Sequence, residues 1–282
     1  MGSRPSPNLC GSLHATSLAR VRFVAVSLTL VSCAHVSVAP RADVVALMER
    51  HVTPGGVNHQ HMLRLARLVP RFSDAEGARR DVVEAAVLLH DATKERGEGT
   101  PFERFCTHGS QAAALARKEL PSLGFSPRDA EAVAQAIEQH MGPLGDNAEF
   151  GRPRFMSSFC QRDFPAPATT EARVVFDLDM LDLMTVDGVV KVVTLRQTKP
   201  EFTKESVRES AMTGADSALK SVVDARQVLK TKTGQACGSA VEAHTRRFLG
   251  QVDFETATSV DAFSSAAAAF LAREPLPACV RP

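Results

Sequence analysis

The stretch Val82-Val83-Glu84-Ala85-Ala86-Val87-Leu88-Leu89 carries one charge and is otherwise apolar on every side of a helical wheel. A helix of that kind has no solvent face and belongs at the centre of its fold. It runs directly into His90-Asp91, followed by Ala92-Thr93-Lys94. A carboxylate at the end of a buried helix is costly unless something pairs with it. A metal ion is one such partner, and a lysine or arginine is another.

Helical periodicity dominates from Ala42 onward. The spacing predicts a helix from Asp43 to Val52, ended by Pro54-Gly55-Gly56, and a second from an Asn58 cap to about Val69, stopped by Pro70. Ser73 with Glu76 three residues on resembles a capping box, which would open the central helix and carry it to about Lys94. Residues 95–107 read as a polar loop. Helices follow over 108–120 and 127–140, then over 171–184, 203–231, 238–252 and 259–273. Residues 142–170 contain Pro143, Pro153, Pro165 and Pro167 and little periodicity, so they read as a long functional or mobile loop before the helix bearing the last acids. No strand and no repeat is indicated. The expectation is an all-α chain with one helical domain over residues 42–275.

Composition agrees with close-packed helices. Trp and Tyr are absent, aromatics make up 5%, and the apolar 44% is mostly Ala, Val and Leu. A formal charge of +1 gives no electrostatic footprint for nucleic acid, so no stable nucleic-acid binding is expected.

The N-terminus reads differently from the rest. Residues 1–32 contain Arg4, Arg20 and Arg22 and no acid, and an apolar run extends from Phe23 to Ser32. The run is too short for a bilayer span, which takes about 20 residues, and a basic segment before it fits a secretory signal. Leu30-Val31-Ser32-Cys33 resembles a bacterial lipobox, which implies cleavage before Cys33, a lipid anchor on its sulfur, a tether over 33–41 and a cell-envelope address. If the start codon or the signal is misread, a cytoplasmic address replaces it. Without residues 1–32 the balance becomes 30 basic against 32 acidic residues. Cys106, Cys160, Cys237 and Cys279 then remain, an even number that permits disulfides in an oxidising compartment. Cys237 with Cys279 is a plausible pair because both lie in the C-terminal part, and four buried free thiols are the alternative.

Chemistry-bearing residues flank the central His90-Asp91 on both sides. His61 and Arg64 are three apart on a predicted helix and so share a face. His108 opens a helix, His140 closes one, and Asp177, Asp179 and Asp182 sit in an otherwise apolar helical stretch. His59 competes with His61, and the His-x-x-Arg spacing favours His61.

In that order and helix context the sequence resembles the HD-domain superfamily of metal-dependent phosphohydrolases, over roughly residues 43–252. The resemblance implies a first metal site from His61, His90, Asp91 and Asp179, with His108 and His140 as the further ligands of two-metal members and Asp91 as the bridge. Asp177 and Asp182 would then orient ligand histidines. Leu178 departs from the small residue the family usually has between the first two acids. Imidazole and carboxylate suit one or two ions of Mn, Fe, Ni, Co or Zn better than Mg. Such ions acidify bound water toward pKa ~7, and phosphoryl transfer then needs mainly positioning and charge neutralisation. Asp91, Lys94 and Arg64 are the expected catalytic residues, the two cations contacting phosphate or neighbouring carboxylates. Arg152, Arg154 and Arg162, in the long loop, can close over an anion or simply be solvated. The expected reaction is hydrolysis of a phosphate ester or anhydride in a small phosphorylated substrate, a nucleotide being favoured. Di-iron oxygen chemistry on the same ligands and a non-catalytic metal- or ligand-binding envelope module are the alternatives.

Overall fold

A computed structural model describes residues 41–142, 160, 162–198, 206–210 and 229–281. Among these residues every regular element is helical. The helices are α1 (Ala42–Glu49), α2 (Val57–Glu76), α3 (Arg80–Leu89), α4 (Thr93–Arg96), α5 (Pro101–Glu119), α6 (Pro127–Gln139), α7 (Thr170–Met184), α8 (Val186–Thr198), α9 (Lys232–Gln251) and α10 (Val260–Arg273). Short 3-10 turns cover Leu120–Leu123 and Ala278–Val280. No helix among the described residues is long and apolar enough to cross a membrane. The signal, lipobox and most of the tether, residues 1–40, lie outside the described residues.

Helix α3 occupies the centre, as its apolar wheel requires. Val82, Val83 and Ala85 through Leu89 are all buried, and α1, α2, α5, α6 and α7 pack around them. Two ion pairs clamp its start, from Arg79 to Glu171 at 3.1 Å and to Asp129 at 2.6 Å.

The boundaries differ from the sequence expectation in four places. Helix α2 does not stop at Pro70 but runs through it to Glu76, so Ser73 lies inside α2 and caps nothing. The apolar face explains the continuation: Leu65, Leu68, Val69 and Phe72 are all buried on both sides of the proline. Burying such side chains contributes about 1.5–3 kcal/mol each, enough to offset the ~3 kcal/mol proline penalty. Gly77, at φ +68°, ends the helix in the left-handed conformation that favours glycine.

The supposed loop 95–107 is half helix. Thr100 and Glu103 form a reciprocal capping box with Pro101 in the first turn, which starts α5 early. Residues 186–198, not expected to be helical, form α8; Gly188 and five valines, poor helix formers, hid it. Helix α9 begins at Lys232, capped by Thr231, so the helix expected over 203–231 stops short of its last three residues. Residues 207–210 of it are helical, and the rest lies outside the described residues. Of the long loop, residues 162–168 have no regular structure and most of the remainder is likewise not described.

Two hydrophobic clusters form. The larger gathers α1 to α7 around α3. The smaller joins Val186, Val189 and Val193 of α8 to Phe248 of α9 and Phe263, Ala267 and Phe270 of α10. Helix α9 serves both, with Cys237 and Val241 in the first cluster and Phe248 in the second. Of the two possibilities left open for the cysteines, the structure has disulfides. They join Cys106 to Cys160 and Cys237 to Cys279, across 54 and 42 residues.

Candidate metal centre

Where α3 ends, the chain turns sharply into α4, and both residues of the turn are buried: His90 is 0% and Asp91 2% exposed. His61 comes from α2, His108 from α5, His140 from the end of α6 and Asp179 from α7. The Thr93 hydroxyl donates to the His108 carbonyl at 2.9 Å, which ties α4 to α5 and fixes the spacing of Asp91 and His108. The structure thus brings all six residues to one place.

One device aims three of the four imidazoles. His90 Nδ1 donates to the carbonyl of Val87 at 2.9 Å, His108 Nδ1 to Phe105 at 2.7 Å and His140 Nδ1 to Ile137 at 2.5 Å. Each partner lies three residues back: Val87 and Ile137 are in last turns, where carbonyls are left free, and Phe105 is inside α5. His61 is held by a side chain instead, its Nδ1 donating to Asp182 Oδ2 at 2.7 Å. A neutral ring with its proton on Nδ1 presents a bare lone pair at Nε2.

Those lone pairs face each other. His61 Nε2 lies 3.3 Å from His90 Nε2, and His108 Nε2 lies 3.1 Å from His140 Nε2. Carboxylates crowd in as well: Asp179 Oδ1 is 3.0 Å from His61 Nε2 and 3.6 Å from His90 Nε2, and Asp91 Oδ1 is 3.1 Å from His108 Nε2. Lone pairs and anionic oxygens at such distances repel unless positive charge lies among them. His61, His90 and Asp179 each offer a ligand atom within 4.8 Å of the others, and so do His90, Asp91 and His140. Imidazole and carboxylate in this ratio fit a divalent transition-type cation.

The electrostatics follow from burial. Burial opposes ionisation of Asp91, but Lys94, His90 and His108 hold its carboxyl well below the usual range. Asp179 is treated the same way by His61 and His90. Burial drives His140 down to about 3, with His90 and His108 adding to the effect, and lowers His108 too. His90 goes the other way, since Asp91 and Asp179 outweigh its burial.

The neighbouring charges serve the carboxylates. Lys94 Nζ reaches both oxygens of Asp91, at 3.0 and 2.9 Å, with 27% of its side chain still exposed. Arg64, expected to touch phosphate or a carboxylate, grips Asp182 with two parallel bonds of 2.9 and 2.8 Å. It therefore acts through Asp182, which in turn orients His61. Asp177 does not orient a histidine. It accepts from the Lys230 and Thr231 amides and the Thr231 hydroxyl at 2.6–2.8 Å, pinning the start of α9 to α7. His59 turns away to Glu49 at 3.0 Å. Arg162 is exposed, donates to the Cys106 carbonyl at 3.3 Å and lies over Phe164; Arg152 and Arg154 are outside the described residues. Sequence reasoning missed Lys191, a buried lysine on α8 whose charge faces Asp91, Asp179 and Asp182. A signal for it was lacking because α8 itself went unrecognised.

Comparison with known proteins places this geometry. Residues 58–184, from α2 to the end of α7, match the HD domain. The chain is similar to bifunctional uridylyltransferase/uridylyl-removing enzymes. Against that of Bradyrhizobium diazoefficiens it is 36% identical over 110 residues, 38% of this chain and 10% of the relative. Against that of Cereibacter sphaeroides it is 27% identical over 151 residues, 52% and 14% of the two chains. Against that of Rhodopseudomonas palustris it is 44% identical over 62 residues, 22% and 6%. The chain thus spans about a tenth of the length of these relatives. No solved structure matches it significantly.

Proposed function

We propose that this chain is a metal-dependent phosphohydrolase that cleaves a phosphate ester or anhydride, with a nucleotide as the favoured substrate. The observation that carries the reading is the convergence of four imidazole Nε2 atoms on the carboxylates of Asp91 and Asp179. His61, His90, Asp91, His108, His140 and Asp179 would hold one or two divalent ions. Such ions supply Lewis-acid polarisation of phosphate and a water acidic enough to attack at neutral pH.

The chain's own residues do the positioning. Asp182 holds the Nδ1 proton of His61, and Arg64 fixes Asp182, so the imidazole cannot turn its lone pair away. Lys94 keeps Asp91 ionised and, being partly exposed, can extend toward a phosphate oxygen. Burial of the ligand histidines keeps bulk water from competing for them. The uridylyl-removing activity in the relatives' name concerns a nucleotide group, which supports a nucleotide substrate here.

A cell-envelope address, through a signal peptide and a lipid on Cys33, belongs to the same proposal. Two disulfides support it, because such bridges persist in oxidising compartments.

The test is phosphate or nucleotide release from a nucleotide panel by the Mn- or Fe-loaded protein, with and without oxygen. Turnover independent of oxygen and lost in Asp91→Ala is expected. No release from any nucleotide, or an absolute need for oxygen, would overturn the reading.

A further inference from the structure

Lys191 stands outside the HD-matched residues 58–184, on the first helix beyond them. It is 7% exposed, although the valines at 186, 189 and 193 of the same helix pack into the second hydrophobic cluster. Three residues before Lys191 is Gly188, one turn back on the same side. A Cβ there would collide with the Asp182 and Leu183 carbonyls, so the glycine lets α8 close tightly on the end of α7. That approach brings α8 onto the end of the helix that carries Asp179 and Asp182, and the Lys191 charge lies within electrostatic range of Asp91, Asp179 and Asp182 as well as of the like charge of Lys94.

None of these acids needs it. Lys94 already takes both oxygens of Asp91, Arg64 takes both of Asp182, and Asp179 lies between His61 and His90. Among the described residues no carboxylate lies within ion-pair distance of Lys191, and it has no hydrogen-bond partner. Its Nζ is not fully buried, so the ammonium group keeps a narrow contact with solvent, and so little water is a poor substitute for an ionic partner. Once divalent cations fill the centre, the carboxylate charge nearest Lys191 is neutralised and the lysine becomes surplus positive charge. The missing counterpart is an anion entering from outside.

Resting on the phosphohydrolase reading, we propose that Lys191 is a substrate-binding residue whose ammonium group contacts a phosphate oxygen of the substrate at the metal centre. Burial lowers its affinity for a proton, and a bound phosphate restores it. The residue thus selects for a doubly charged phosphate group over a neutral ligand.

The test titrates inorganic phosphate into Mn-loaded wild type, Lys191→Met and Lys191→Arg by calorimetry, with metal content and the melting temperature of the metal-free proteins measured alongside. Loss of a charge-assisted hydrogen bond in Lys191→Met should weaken phosphate binding about tenfold or more. Lys191→Arg should recover much of it, both variants should keep full metal content, and metal-free Lys191→Met should melt no lower than wild type. Equal phosphate affinity in wild type and Lys191→Met would overturn the role of Lys191 and leave the hydrolase reading standing. Metal loss or a lower melting temperature in Lys191→Met would make the lysine a structural counter-charge and also overturn it. Failure of wild type itself to bind phosphate would sink both readings.

Discussion

Single side chains decide whether this centre is a receptor or merely a polar core. Asp182 ligates nothing in the proposed set, yet it holds the His61 proton at 2.7 Å and is fixed by Arg64. Asp182→Asn should therefore lower metal affinity about 10–100-fold, the loss typical of an orienting partner, while the helix content in circular dichroism stays the same. Affinity equal to wild type would show that His61 needs no guide. At this scale the sequence was partly legible. Residue type and order singled out six residues that the structure does bring together. The resemblance set Asp179 apart as a ligand but gave Asp177 and Asp182 the same orienting role, and only Asp182 holds a histidine, because acids five apart on one helix point in different directions and only packing says where. Residue type and order could not show the backbone carbonyls of Val87, Phe105 and Ile137, which aim three of the rings and belong to no motif.

Among the elements, the joint between α7 and α9 matters most. Asp177 accepts three hydrogen bonds from Lys230 and Thr231, and a Cβ at Gly234 would strike its carboxylate. Gly234→Ala should destabilise the protein by about 1–3 kcal/mol, the cost of overpacking, measured by denaturant unfolding. Asp177→Ala leaves buried donors unpaired, at about 1–3 kcal/mol for each that water cannot reach. Both variants should retain metal at low temperature; loss of metal without loss of stability would make Asp177 a ligand instead. The helices with a clear apolar stripe or cap were readable from spacing. Helix α2 was cut short at Pro70 because a local rule about proline cannot see the buried Phe72 beyond it. Helix α8 was missed because glycine and β-branched residues weaken the helical signal, and tertiary packing outweighs them here.

For the molecule as a whole, two covalent bridges and a set of depressed carboxylates set the conditions it tolerates. Reduction of both disulfides should lower the melting temperature by several degrees or more, since each bridge of this loop length stabilises by about 2–4 kcal/mol. An unchanged melting point in reductant would show that the bridges add nothing. Glu171 is held below the usual range by its own and the Arg79 amide and by the Arg79 guanidinium, against its burial, and Asp182 by His61 and Arg64, likewise against burial. Acids with depressed folded values contribute stability that is fully present above their unfolded values, about 4, and is lost as pH falls through the folded ones. His140, kept neutral by burial with a value of about 3, adds a cost that begins as pH falls below about 6.5, so thermal melts of the metal-free protein should decline from there and more steeply below about pH 4.

His90 belongs to both groups of three ligands, yet its Nε2 has one lone pair to give. A first ion seated with His61 and Asp179 would leave Asp91, His108 and His140, whose Nε2 and Oδ1 atoms pair at 3.1 Å around His108, for a second. A first ion seated with Asp91 and His140 instead strands His61 and Asp179 as a two-point remnant. Loading would then be directional: two ions would fit side by side only if the one drawing on His90 also drew on His61 and Asp179.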